Sequence, residues 1–134
     1  MNTTTIEQSW RFETTAKELY NMLMDEETYE DFCGSQVTMD PVEGGEFTVF
    51  DGYIMGQNIE LVPHTKIVQE WNFAEDGWPE DHFSLCTFLF EEQEGQTLLT
   101  FTQTGVPEHV KEALENGWRQ YYWEPMENYI SGNS

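Results

Sequence analysis

The sequence predicts an α+β fold: a strongly curved antiparallel sheet of about six or seven strands wrapped around one long C-terminal helix, with two short helices after the first strand. Three observations lead there. Segments of alternating apolar and polar residues, separated by turn signals, dominate the middle of the chain. Two stretches near the start carry helical spacing. The C-terminal "NGWRQYYWEPMENYI", Asn116 to Ile130, reads as a helix with too many aromatic residues for one packing stripe.

The elements follow in order. "TIEQSWRF" alternates Ile6, Gln8, Trp10 and Phe12 on one face and reads as a strand pairing at a sheet edge. "TTAKELYNMLM" places Leu19, Met22 and Leu23 at helical spacing behind a threonine N-cap, and "DEETYEDFCG" gives a second short helix or turn ending at Gly34. "SQVTMD" is a short strand. "GEFTVF" follows a Gly44-Gly45 turn, so the "GGEF" there is a turn into a strand. "YIMGQNIELV" and "KIVQEWNF" flank the turn at Pro63-His64, and "HFSLCTFLFEE" and "TLLTFTQT" flank "EQEGQ". A polar loop between Phe73 and His82 carries a Trp78 that reads as exposed. Pro107 stands at the first helical position of the last element, which runs to about Ile130.

On that helix Val110, Leu114, Gly117, Trp118, Tyr121 and Pro125 share one arc. Tyr122 and Tyr129 widen it, and Trp123, Met126 and Ile130 lie further round. Gly117 is expected to let the helix approach the sheet, and Pro125 to kink it. Trp71 and Trp118 are expected to be buried between sheet and helix. A curved sheet and a helix leave a cavity between them. The aromatics therefore either fill the core or also border a ligand cavity.

At 134 residues the chain, residues 1–134, is expected to form a single domain, long enough to bury a core. Cys33 and Cys86 fit neither a disulfide framework nor a zinc pattern and read as free thiols, which favours a reducing cytoplasm. The expectation is of no leader peptide and no membrane span. Five Lys+Arg against 26 Asp+Glu give a net charge of −21, which argues against nucleic acid and anionic membranes as partners. The charge fits solubility by self-repulsion, a salt-rich habitat, or an acidic face that meets a basic partner.

Catalytic patterns are absent. His64, His82 and His109 have no converging partners, so no metal is expected. Neither cysteine has a histidine at activating spacing, and Ser84 has no flanking glycines. No cofactor is expected. Glutamines on apolar strand faces are the remaining polar candidates: Gln8 beside Ile6, Gln57 beside Met55, Ile59 and Leu61, and Gln69 beside Ile67, Trp71 and Phe73. Each is satisfied by a neighbour or orients a ligand. The candidate cavity residues are Gln57, Gln69, Trp71, Phe88, Phe101, Trp118, Tyr121 and Tyr122.

The pieces "DG.I.G" from Asp51, "P..KIV..W" from Pro63, "HFS" from His82, "T.L..T..GVP" to Pro107 and "GW..YY" from Gly117, in that order, resemble the activator of heat-shock-protein-90 ATPase homologue family. The resemblance implies a helix-grip, START-like domain, whose superfamily spans chaperone activators, lipid carriers, polyketide cyclases and hormone receptors. In the eukaryotic activators this domain follows a larger N-terminal one, whereas about five residues precede the first strand expected here. The leading expectation is non-catalytic binding of an apolar or aromatic small molecule. The alternatives are an interaction module docking on a chaperone or another basic protein, and a polyketide-cyclase-like enzyme.

The charge generates a first prediction. The thermal midpoint should rise as monovalent salt goes from about 0.1 M to about 1 M, where the Debye length shortens from about 10 Å to about 3 Å. A flat response in differential scanning calorimetry would show that carboxylate repulsion carries no penalty.

Overall fold

A computed structural model describes residues 2–74, 78–79 and 82–132. Strand β1 spans Thr3–Phe12, helix α1 Ala16–Met24 and helix α2 Glu26–Cys33. Strands β2 (Thr38–Met39), β3 (Glu46–Val49), β4 (Ile54–Val62), β5 (Lys66–Phe73), β6 (Ser84–Gln93) and β7 (Gln96–Pro107) follow. They form one seven-stranded antiparallel sheet in the order β1-β7-β6-β5-β4-β3-β2, so β1 closes an edge beside β7. The C-terminal element curls against this curved sheet as a 3₁₀ turn (Glu108–Val110), α3 (Lys111–Trp118), a π turn (Arg119–Trp123) and α4 (Glu124–Ile130).

The local signals act as their chemistry requires. The Thr15 hydroxyl accepts from the Glu18 N–H, and the Asp25 carboxylate accepts from the Thr28 N–H. Gly34 ends α2 at φ 74°, where a side chain would be strained. Pro107 is not helical: it is the last residue of β7, paired with Thr3. It precedes the 3₁₀ turn because its fixed φ suits extended backbone as well as a helix start.

The C-terminal helix departs from expectation ahead of Pro125. The Glu124 N–H reaches back five residues to the Arg119 carbonyl, the i→i+5 bond of a π turn. Pro125 lies in the first turn of α4, where its missing N–H costs little. The inserted residue re-aims everything after Trp118. Residues five apart in an α-helix differ by about 140° around the axis, but here Trp118 and Trp123 stack with ring centroids 5.6 Å apart. Trp123 and Met126, placed further round by α-helical spacing, are therefore buried at 1% and 0% exposure, while Tyr121 is 52% exposed.

Beta-strand faces show a second correction. Gln57, Met55 and Ile59 share a face, but it is the solvent-facing one. A bulge between Asn58 and Glu60 turns Leu61 inward, opposite the buried Ile67. This breaks the plain period of two. Ahead of the bulge the inward residues of β4 are Ile54, Gly56 and Asn58. Gly56 sits under the Phe47 ring, and a Cβ there would run into that ring and the Glu70 carbonyl oxygen. Trp78 is also buried: its ring packs 4.7 Å from Phe73 and its indole N–H donates to the His82 carbonyl. The rest of its expected polar loop, residues 75–77 and 80–81, lies outside the described residues.

Gly56→Ala should destabilise the fold by about 1–3 kcal/mol through overpacking. The denaturant midpoint checks this, and Phe47→Leu in the same chain should recover part of the loss. An unchanged midpoint for Gly56→Ala would mean that the β4–β5 pairing yields easily there.

Candidate functional site

Helix and sheet meet through aromatic rings. Trp118 packs against Trp71 (4.9 Å between centroids), Phe101 (4.2 Å), Phe88 (6.0 Å) and Tyr122 (4.7 Å). Trp71 and Trp118 are thus buried between β5, β7 and α3. A buried indole N–H needs an acceptor, and those of Trp118, Trp71 and Trp123 each find a glutamine. Trp118 donates to Gln103 Oε1 at 2.8 Å, Trp71 to Gln69 Oε1 at 2.7 Å and Trp123 to Gln8 Oε1 at 2.7 Å. The amide nitrogens are used as well. Gln103 donates to Ser84 Oγ, Gln69 to Asn58 Oδ1 and Gln8 to the Glu115 carbonyl. Asn58 in turn donates to the Asp40 carbonyl at 2.9 Å.

These amides are therefore occupied by protein partners. Gln69 is buried in this network, and Gln57, on the outer face, donates to the Gly44 carbonyl. Neither borders the cavity described next. Gln103 and Asn58 complete the network and are not among the candidates that the sequence singles out. Gln103 was legible there, because it alternates inward with Leu99 and Phe101 along β7. Asn58 was not, because the face of β4 could not be assigned before the bulge was known.

One side of this aromatic core opens into a cavity of about 440 Å³, within the range of small-molecule sites. Phe50, Tyr53 and Ile54 line it from the β3–β4 connection, Trp71 and Phe73 from β5. Ala113, Leu114, Gly117, Trp118, Tyr121 and Tyr122 line it from the C-terminal element. Of the predicted residues the structure brings Trp71, Trp118, Tyr121 and Tyr122 together on this lining. Phe88 and Phe101 lie behind Trp118 as core. Gly117 does not serve close approach to the sheet: a Cβ there would meet only Tyr121 Cδ2, at 3.9 Å. Its bareness instead leaves space in the cavity.

The β3–β4 connection holds the mouth. Phe50 and Asp51 adopt φ of 55° and 57°, ahead of Gly52 at 91°. This conformation is uncommon for a bulky side chain, and two backbone bonds keep it: the Asp51 N–H donates to the Gln36 carbonyl, and the Ala74 N–H to the Tyr53 carbonyl. The result sets the Phe50 ring 5.9 Å from Tyr121 and 6.4 Å from Tyr122. Behind Tyr122 lies Tyr29 of α2, and their hydroxyls share a hydrogen bond of 2.5 Å. Burial pushes both phenols above their ordinary value, Tyr122 further helped by the neighbouring Tyr29. Burial likewise raises the Cys86 thiol in mid-sheet and the half-buried Cys33 thiol. Neither thiol belongs to the cavity lining. Among the described residues no group of three or more His, Cys, Asp or Glu could hold a metal, and no helix is long and apolar enough to cross a membrane.

A family model described as Activator of Hsp90 ATPase homolog 1-like protein matches residues 13–131. The Homo sapiens protein named Activator of 90 kDa heat shock protein ATPase homolog 1 is 34% identical over 113 residues, covering 84% of this chain and 33% of that protein. The Dictyostelium discoideum homolog of that activator is 29% identical over 133 residues, covering 98% of this chain and 34% of its own. The chain thus spans about a third of the length of the curated relatives it matches. The crystal structure of an HSP90 activator from Plasmodium falciparum aligns with a TM-score of 0.86 at 28% identity, covering 96% of both chains. CalU16 from Micromonospora echinospora shares the fold at a TM-score of 0.81 and 20% identity, over 95% of this chain and 76% of its own.

The buried phenol pair generates a pH prediction. An unfolded tyrosine ionises near pH 10, whereas the folded pair holds its protons to higher pH. The unfolded state therefore binds fewer protons there, and stability falls as pH rises above about 10. Urea titrations from pH 8 to 11 should show this fall, shallower in a Tyr29→Phe/Tyr122→Phe double variant. An equally steep fall in that variant would assign the alkaline sensitivity to other groups, Cys86 among them.

Proposed function

The chain belongs to the Activator of Hsp90 ATPase homolog 1-like family, and from that premise we propose that it is a non-catalytic, cytoplasmic binding domain. It takes an apolar or aromatic small molecule into the cavity between the β3–β4 connection, β5 and the C-terminal helix. The cavity itself carries this reading. It is roomy and aromatic, and it survives beside a core whose buried polar side-chain atoms all have partners among the described residues. Among the described residues, the eleven that line it include no carboxylate, imidazole or thiol. They therefore offer shape and apolar surface rather than proton transfer. A polyketide-cyclase-like reaction needs a general base against the substrate, and the described residues of this lining supply none.

A second reading is favoured by the relatives, which are named as activators of a 90 kDa heat shock protein ATPase. On it the domain docks on a chaperone of that class, with the surface carboxylates behind a net charge of −21 meeting basic groups on the partner. Trp123 is no part of such a surface, being buried at 1% exposure.

Gly117 separates the two. Gly117→Leu places a side chain in the cavity and replaces a helix-weakening residue, which alone favours the helix by about 0.5–1 kcal/mol. A thermal-shift screen of apolar and aromatic compounds should give hits with the native chain and none with Gly117→Leu, whose own midpoint should not fall. Tyr121→Ala should weaken the same hits while leaving the protein folded. A broad screen without hits, together with salt-sensitive binding to a purified Hsp90-type chaperone that Gly117→Leu leaves intact, would replace ligand binding by docking.

A further inference from the structure

The composition of the cavity wall narrows the ligand further. Among the described residues eleven line the cavity, of which seven are aromatic and none is charged. Ring faces carry negative potential and attract a cation lying within about 6 Å of the ring centroid. Here the rings converge from three elements. Phe50 packs at the mouth against Tyr121 and Tyr122, with centroids 5.9 and 6.4 Å apart in T-shaped contacts, and Trp71 packs 6.0 Å from Tyr122 and 4.9 Å from Trp118.

The hydrogen-bonding groups of the deeper wall are already committed. The Trp71 and Trp118 N–H groups donate to Gln69 and Gln103, and the Tyr122 hydroxyl is engaged with Tyr29. An anionic ligand would thus meet no cationic side chain on the wall and no uncommitted indole donor. It would also enter against the field of a chain with 26 acidic and five basic residues. Arg119, one residue after the lining Trp118, is held by Glu124 at 3.3 Å. A cation would meet an aromatic wall inside and an attractive field outside.

We propose that the cavity is an aromatic cage for a cationic ligand, a quaternary or tertiary ammonium group carried on a small apolar body. The proposal rests on the cavity being a binding site and adds the sign of its ligand. The rings supply the recognition, and the net negative charge of the protein steers the ligand in.

Three probes of nearly one shape test it: benzyltrimethylammonium, its neutral carbon isostere neopentylbenzene, and the anion 3-phenylpropionate. Titrations followed by NMR chemical shifts should give the ammonium ion the tightest binding, about three- to tenfold over the neutral isostere, and the anion the weakest. Tyr121→Leu keeps apolar surface but removes a ring face at an exposed position. It should weaken the ammonium ion by about two- to fivefold and leave the neutral probe within about twofold of its native affinity. Gly117→Leu should abolish binding of all three. Equal or tighter binding of the neutral or anionic probe would overturn the cationic ligand while the cavity reading stands. Ammonium binding that survives Gly117→Leu would be attraction to the acidic surface and would overturn it too. Failure of all three probes at millimolar concentration would overturn both.

Discussion

Three buried indole N–H groups that each need an acceptor set the terms on which this sheet and helix can meet. An unpaired donor in a dry core costs on the order of 1–3 kcal/mol. Trp118 and Trp123 come from the C-terminal element, while their acceptors, Gln103 and Gln8, come from β7 and β1. Satisfying both at once fixes where the helix lies along the sheet and how it is rotated. An unbroken α-helix would turn Trp123 well away from Trp118. The π turn at Arg119–Trp123 places both indoles over the sheet. The local irregularity and the two hydrogen bonds are one solution to one constraint.

The cavity follows from the same geometry. With Trp118 and Trp123 committed to the sheet, Tyr121 is pushed to the rim and Gly117 faces inward without a side chain to fill the space. The β3–β4 connection closes the far wall only by holding Phe50 and Asp51 in left-handed backbone, at a cost of about 1–2 kcal/mol per residue. Strain at a cavity mouth, kept in place by bonds to Gln36 and Ala74, is common where a surface is shaped for a ligand.

So acidic a chain also has to place its carboxylates without cations to pair them. Two ion pairs are seen among the described residues, Lys66–Glu60 and Arg119–Glu124. Several carboxylates instead accept backbone N–H groups. Glu92 accepts from Ala16, Glu30 from Val37, Glu26 from Met39, Glu43 from Leu61 and Asp25 from Thr28. These bonds pin the loops and helix starts that surround the sheet. The negative charge is thus partly structural, and the core owes its cohesion to rings and amides rather than to charge.

Local pattern is enough to read the strands, the threonine cap of the first helix, the stop at Gly34 and the burial of Trp71 and Trp118 between sheet and helix. Each of these depends on residues within one or two turns or on a period of two or 3.6. Where a single residue breaks the period, side chains turn to faces that the period does not predict. The bulge at Asn58–Glu60 put Gln57 outside and Asn58 inside, and the π turn buried Trp123 and exposed Tyr121. Neither break has a strong local signature, because each is selected by partners far along the chain: Gln69 for Asn58, and Gln8 and Gln103 for the two indoles. The residue types of the cavity were therefore legible in the sequence. Which face each one turns to was decided only when the buried donors of distant segments had to be satisfied together.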